Sequence, residues 1–201
     1  MIFAGVDEVG RGALFGPVVA GAVILPDRVL DELVASGVKD SKQLTAKRRL
    51  LLAAQIRDAA IDCQVGMASV REIDRLNILQ ASLLAMRRAI LRLEPIPELV
   101  LIDGNQRVRD LPMSQETIVK GDSLSVAIAA ASIVAKVWRD ELMARLAVKY
   151  PEYDLTNNKG YGSKKHRQAL LDCGPSRQHR LSFAPCKVEP QPLQFQLPFD
   201  S

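Results

Sequence analysis

Two adjacent carboxylates, Asp7 and Glu8, lie where an apolar run meets a glycine-bracketed arginine, in Ala4-Gly5-Val6-Asp7-Glu8-Val9-Gly10-Arg11-Gly12. Neighbouring acids beside a buried strand are unfavourable unless a cation neutralises them. Gly10 and Gly12 lack a Cβ, so the backbone there can come close to a ligand, with Arg11 held between them. Two further acids follow apolar runs: Asp103 after residues 99–102, and Asp122 after residues 117–119. Taken singly, each could be a turn former or helix cap, as Asp103-Gly104-Asn105 or Asp122-Ser123 would allow. The set reads differently, because no capping role needs both Asp7 and Glu8. If the strands are neighbours, Asp7, Glu8, Asp103 and Asp122 meet at one sheet end, where loops converge. Oxygen-only donors select hard cations, Mg2+ or Mn2+. Two such ions roughly 3.5–4 Å apart activate a water and stabilise the leaving oxygen of a phosphodiester.

The elements that would position these acids are legible as hydrophobic patterns. Residues 2–6 and 18–25 are near-continuous apolar runs, and their short connection predicts an antiparallel hairpin. Residues 63–67, 99–102 and 117–119 are the next strand candidates, the last ending at Lys120-Gly121-Asp122. Thr45 caps a predicted helix through Asp58, with Leu50, Leu51, Ala54 and Ile56 inward. Residues 78–93 form an amphipathic helix with Leu79, Leu83, Met86 and Ile90 as its stripe and Arg87, Arg88 and Arg92 toward water. One long helix is predicted over 123–150, its small residues 127–131 packing on the sheet. Another, over 164–172, follows the turn-rich residues 157–162. Strands first, then strands alternating with helices, give an α/β layered domain with a mixed sheet. From residue 185, Pro185, Pro190, Pro192 and Pro198 predict a loose tail.

Composition narrows the class without choosing it. The 201 residues are 48% hydrophobic and 25% charged, with 27 Lys and Arg against 23 Asp and Glu and a pI near 9.1. This mild excess suits a nucleic-acid partner and suits solvated helix faces equally. Cys63, Cys173 and Cys186 form no CxxC pair, which argues against a zinc site or disulfide framework and for a reduced, cytoplasmic setting. The apolar stretch 13–25 contains Gly16 and Pro17 and is too short to span a bilayer. It follows an acidic pair, unlike a signal peptide.

In order along the chain, the residues resemble the blocks of ribonuclease HII, the type 2 ribonuclease H family. These are Asp7-Glu8-Val9-Gly10-Arg11-Gly12 with Gly16-Pro17, Asp40-Ser41-Lys42-Gln43-Leu44, Ile102-Asp103-Gly104 and Lys120-Gly121-Asp122. The stretch Ala130 to Val137 with Arg139-Asp140, then Lys159-Gly160-Tyr161, and His179-Arg180-Leu181-Ser182-Phe183 complete the series. The resemblance implies a ribonuclease H-like mixed five-stranded sheet flanked by helices. It places the catalytic domain at 1–150, a helical C-terminal portion completing the substrate groove at 151–184, and a Pro-rich tail at 185–201. The implied activity is hydrolysis of the RNA strand in RNA–DNA hybrids and incision of duplex DNA 5′ to embedded ribonucleotides, giving 3′-hydroxyl and 5′-phosphate ends.

By this resemblance Asp7, Glu8, Asp103 and Asp122 match the catalytic, metal-binding carboxylates for Mg2+ or Mn2+. Gly10, Arg11 and Gly12 match the motif that reads the ribose 2′-hydroxyl, and Tyr161 the tyrosine that contacts the sugar beyond the RNA–DNA junction. Ser41, Lys42 and Lys136 are phosphate-contact candidates, although a basic helix face explains Lys136 equally well. Asp140 competes with Asp122 for the fourth ligand place, but its position beside Arg139 on a helix suits a surface ion pair. His166 and His179 are not required by the family pattern, and a structural or phosphate-contact role suits His179. Gln194, Leu197 and Phe199 in the tail resemble the short peptides that dock on the replication sliding clamp. A monomer is the simplest expectation. The rivals are a type 3 ribonuclease H, a noncatalytic hybrid-binding module and a scaffold protein. The short stretch before Asp7 leaves no room for a type 3 N-terminal domain, a noncatalytic module would need no acid cluster, and a scaffold has only the arginine-rich helix for support.

Overall fold

A computed structural model describes residues 2–38 and 44–187. Five strands, β1 (Phe3–Val9), β2 (Val18–Ile24), β3 (Asp62–Ala68), β4 (Leu99–Asp103) and β5 (Ser114–Ile118), form one sheet in the order β3-β2-β1-β4-β5. The β1–β2 and β2–β3 pairs are antiparallel, whereas β4 lies parallel to β1 and to β5. Every residue of β2 is buried, as expected of an interior strand covered on both faces.

The helices are α1 (Leu30–Ala35), α2 (Ala46–Ala59), α3 (Val70–Leu76), α4 (Ile78–Ile90), α5 (Gly121–Leu124), α6 (Val126–Lys149), α7 (Leu155–Asn158) and α8 (Lys164–Cys173). One apolar layer joins Ala4, Val6, Val18, Val100 and Ile102 of the sheet to Ala81, Ala85 and Ala89 of α4. The opposite layer joins Val23 to Leu52 and Ile56 of α2 and to residues 127, 129–131, 133 and 134 of α6. The small residues of α6 let its backbone almost touch the sheet. A Cβ on Gly5 would lie 2.1 Å from the carbonyl carbon of Ala127, and one on Gly21 2.4 Å from the Ala131 oxygen. This contact fixes α6 across β1. A third cluster seats Leu14 and Phe15 against Met143 of α6 and Tyr153, Leu155 and Leu170 of the C-terminal helices.

Several expectations change. Thr45 does cap α2, its side chain accepting from Arg48 N–H, but Leu50, Leu51 and Ala54 face outward; the buried residues are Leu52, Ala53 and Ile56. On α4 the buried stripe is Ala81, Ser82, Ala85, Met86, Ala89 and Ile90, leaving Leu79 and Leu83 half-buried. Arg88 and Arg92 do not simply face water. Arg88 donates to Glu72 and to the Met67 carbonyl, Arg92 to the Val65 carbonyl. β5 begins three residues before the predicted start and ends at Ile118, so Asp122 sits on the one-turn helix α5 rather than at a strand end. The predicted helix 123–150 is broken at Ser125, whose extended backbone and side chain cap α6. Among the described residues, no helix is long and apolar enough to cross a membrane.

Candidate active site

The parallel register of β1 and β4 brings acids 96 positions apart in sequence to one end of the sheet. Val6 pairs with Ile102, and Asp7 and Asp103 are the next residue on each strand. Side chains alternate across a strand, so Asp7 and Glu8 take opposite faces. Asp7, 6% exposed, lies toward α6 and is hydrogen-bonded to the Ser132 side chain. Glu8 lies on the α4 side, where it lines a cleft of about 220 Å³ with Arg11, Asp103, Gly104 and the half-buried Leu79 and Leu83. Asp103 accepts from Gly121 N–H at 2.7 Å, which ties the turn carrying Asp122 to the end of β4. Asp122 is buried, at 6% exposure.

Electrostatics mark the region as short of positive charge. Burial is the main cause that pushes the Asp7 carboxyl up to about 8; nearby Glu8 and Asp103 add to it, and the Ser132 hydrogen bond opposes it. Glu8 is also raised, chiefly by burial and partly by Asp103, against the pull of Arg11. Arg11 Nη1 donates to Glu8 Oε1 at 3.1 Å, and Glu8 N–H donates to Asp7 Oδ1 at 2.7 Å. Among the described residues, no three acidic, histidine or cysteine side chains stand in a ready-made metal cage, since Glu8 is turned to Arg11 and Asp103 to the Gly121 amide. The donor set nevertheless fits a hard divalent cation: Asp7, Glu8, Asp103 and Asp122 offer oxygen only, and the buried charge on Asp7 would be relieved by one.

The glycine-arginine loop leads directly from these acids. Arg11 is exposed, and a Cβ on Gly12 would meet nothing within 4 Å. Tyr161, 37% exposed, is brought to this loop by a β-bridge to Ala13. Lys136 and Arg139 lie 5.9 and 5.4 Å from its ring centre. Asp140 is ion-paired as expected of it, but to Lys136 at 2.7 Å and more distantly to Arg49, not to Arg139. Arg139 is fully buried.

The two histidines are buried and form a directional chain. Ser176 N–H donates to His179 Nδ1, which leaves the His179 proton on Nε2. His179 Nε2 then donates to His166 Nε2 at 3.0 Å, and His166 Nδ1 donates to the Tyr161 carbonyl at 2.9 Å. Both rings are neutral in this arrangement, which gives His179 a structural role.

Ser41, Lys42, Gln194, Leu197 and Phe199 lie outside the described residues. The sequence reading missed Ser132 as a partner of Asp7 and missed the burial of Arg139 and Arg180. A signal existed for Arg139, which sits four residues from both Ala135 and Met143, the spacing of a buried helix face.

The profile of the family described as ribonuclease HII matches residues 4–186, the stretch that carries every feature above except the tail. The chain belongs to the ribonuclease HII family. It is 71% identical over 184 residues to ribonuclease HII of Trichodesmium erythraeum, covering 92% of this chain and 87% of that relative. Its fold is similar to the crystal structure of ribonuclease H2 from Pyrococcus horikoshii, with a TM-score of 0.78, 27% identity and coverage of 93% and 96% of the two chains. It is also similar to ribonuclease HII from Archaeoglobus fulgidus, solved in complex with PCNA, with a TM-score of 0.71, 30% identity and 85% of each chain covered. Membership makes the chain a divalent-metal-dependent endoribonuclease that cleaves the RNA strand of RNA–DNA hybrids.

Proposed function

We propose that this ribonuclease HII also incises duplex DNA on the 5′ side of single embedded ribonucleotides, by two-metal phosphodiester hydrolysis that leaves 3′-hydroxyl and 5′-phosphate ends. The observation that carries the reading is the electrostatic coupling of Asp7, Glu8 and Asp103 at the sheet end, next to a glycine loop open to a ligand. Asp7, Glu8, Asp103 and Asp122 would hold the cations, Mg2+ or Mn2+. When bound, these supply the Lewis acidity that activates water and neutralises charge on the departing 3′-oxygen.

The remaining roles belong to the chain itself. Ser132 orients the Asp7 carboxylate, and Arg11 neutralises Glu8 while the cations are absent. The backbone of Gly10, Arg11 and Gly12 would recognise the 2′-hydroxyl, the one group that separates RNA from DNA at a given position. Tyr161 would present its ring to the neighbouring sugar, and Ser41 and Lys42 would contact phosphate. Residues 151–184 would complete the groove, since they carry Tyr161 and the segment seated on the loop. The tail residues Gln194, Leu197 and Phe199 would dock on a sliding clamp, a reading supported by the PCNA complex of the archaeal relative. The protein would act as a cytoplasmic monomer.

The test is a labelled duplex carrying one ribonucleotide, incubated with Mg2+, Mn2+ or Ca2+, with the ends mapped. A single cut 5′ to the ribonucleotide with Mg2+ or Mn2+ is expected, with no cut in the all-DNA duplex. Cyclic phosphate ends, or cleavage without added metal, would contradict the mechanism.

A further inference from the structure

Two arginines that the proposed reaction does not use are buried side by side beneath the glycine loop. Arg139 and Arg180 are both 0% exposed. Arg139 comes from α6 and donates to the carbonyls of Phe15 (3.1 Å), Pro17 (3.3 Å) and Lys159 (2.8 Å). Arg180 comes from the segment after α8 and donates to the carbonyls of Gly16 (3.0 Å) and Arg11 (2.8 Å). Its second terminal nitrogen, Nη2, is buried without a hydrogen-bond partner. Arg180 is pushed down to about 9, first by burial and then by Arg139. Two like charges in an interior are a poor route to stability, and apolar residues of similar volume would serve packing better.

What the pair does achieve is control of peptide orientation. In a trans peptide the C=O and the following N–H point in opposite directions. Arg180 draws the Arg11 carbonyl inward and thereby turns Gly12 N–H outward, where the space over Gly12 is open. Arg139 supports the same loop through the carbonyls of Phe15 and Pro17. Gly10 has φ +90°, and a Cβ there would lie 2.3 Å from Arg139 Nε. The Arg139 guanidinium also lies 5.4 Å from the centre of the Tyr161 ring. One buried side chain therefore touches both the loop and the tyrosine that flank the reaction centre.

We propose that Arg139 and Arg180 are positioning residues that set the enzyme's preference for ribose, by holding the carbonyls of Arg11, Phe15, Gly16 and Pro17 inward so that the Gly12 amide faces the 2′-hydroxyl. The proposal rests on the ribose-reading role given above to residues 10–12. Neither arginine reaches substrate; both act through the backbone.

The test compares Arg139→Lys and Arg180→Lys with the full wild-type chain. Affinity is measured in Ca2+ for a duplex with one ribonucleotide and for the all-DNA duplex of the same sequence. The wild-type preference for the ribonucleotide duplex should fall about tenfold in each variant, as expected for a lost hydrogen bond to the ribose, with all-DNA affinity unchanged. An unchanged preference, or an equal loss of affinity for both duplexes, would overturn the proposal. If a lysine variant does not fold, Phe183→Leu replaces it, removing the ring 5.2 Å from the Arg180 guanidinium. The same ratio should then fall by a smaller factor, and a ratio equal to wild type overturns the proposal. Equal affinities in the wild type would instead overturn the ribose-reading role itself, and the proposal with it.

Discussion

The loop from Gly10 to Pro17 separates two buried polar regions that are satisfied in opposite ways. On the acidic side, Asp7, Glu8 and Asp103 share one sign of charge, and burial together with mutual repulsion raises the first two. On the basic side, Arg139, Arg180, His166 and His179 meet carbonyls, a backbone amide and each other, with hydrogen-bond directions that run consistently from Ser176 to Tyr161. Buried polar groups that find internal partners rigidify a fold, whereas groups left in mutual conflict mark a site that a ligand must complete. The basic region is scaffold. The acidic region is the proposed reaction centre, whose charge conflict a bound cation would relieve.

The largest effect should come from relieving that conflict. Asp7→Asn removes a desolvated carboxylate, so hybrid cleavage should fall by several orders of magnitude while the metal-free protein melts a few degrees higher. A lower melting temperature would mean that Asp7 is a structural acid.

Next in size is the acid sensitivity of the histidine chain. His179 is pulled down to about 4 by burial and by His166, and His166 is lowered by burial. A folded pKa below the ordinary value of about 6.5 means stability is complete above pH 6.5 and is lost as pH falls toward 4. Asp7 has the opposite sign, since its raised pKa removes stability as pH climbs toward 8, so the two slopes oppose each other in the wild type. The Asp7→Asn protein removes the Asp7 share of the opposing slope and leaves only that of Glu8 against the histidines. Its urea midpoint should drop between pH 6.5 and 5, above the ordinary carboxylate range, and a flat midpoint would contradict the neutral, directional chain.

The smallest effect is expected at a partly exposed ion pair between α3 and α4. Glu72 is held down to about 2, first by its hydrogen bond to Arg88, and the pair is partly exposed. Glu72→Gln keeps a residue able to cap α3 and should lower stability by less than about 1 kcal/mol, with hybrid cleavage unchanged.

How far the sequence discloses this arrangement depends on whether a residue's environment is local. The apolar runs of β1, β2 and β4 are read correctly because interior strands need little but burial. β5 is polar and alternating, with Ser114 and Glu116 exposed, so an apolar-run criterion finds only its end. The inward face of α2 is misjudged because leucines occupy positions 50, 51 and 52, and only packing against α6 decides that Leu52 is the buried one. Ser125 looks like any helical serine until the turn that carries Asp122 requires a fresh cap. The acids at the sheet end are suggested by their positions after apolar runs. The bond from Gly121 to Asp103, which joins the turn of Asp122 to β4, depends on tertiary structure and leaves no local trace. Arg180 is the hardest case, since an arginine reads as surface and its partners are loop carbonyls more than 160 residues away.

Manganese binding measured by calorimetry on the wild type and on Asp7→Asn, Asp103→Asn and Asp122→Asn tests whether these distant acids act on shared cations. Each substitution should weaken binding by about tenfold or more without unfolding the protein, as loss of a charged oxygen ligand predicts. Wild-type affinity in the Asp103→Asn or Asp122→Asn protein would show that these acids do not share a metal site with Asp7.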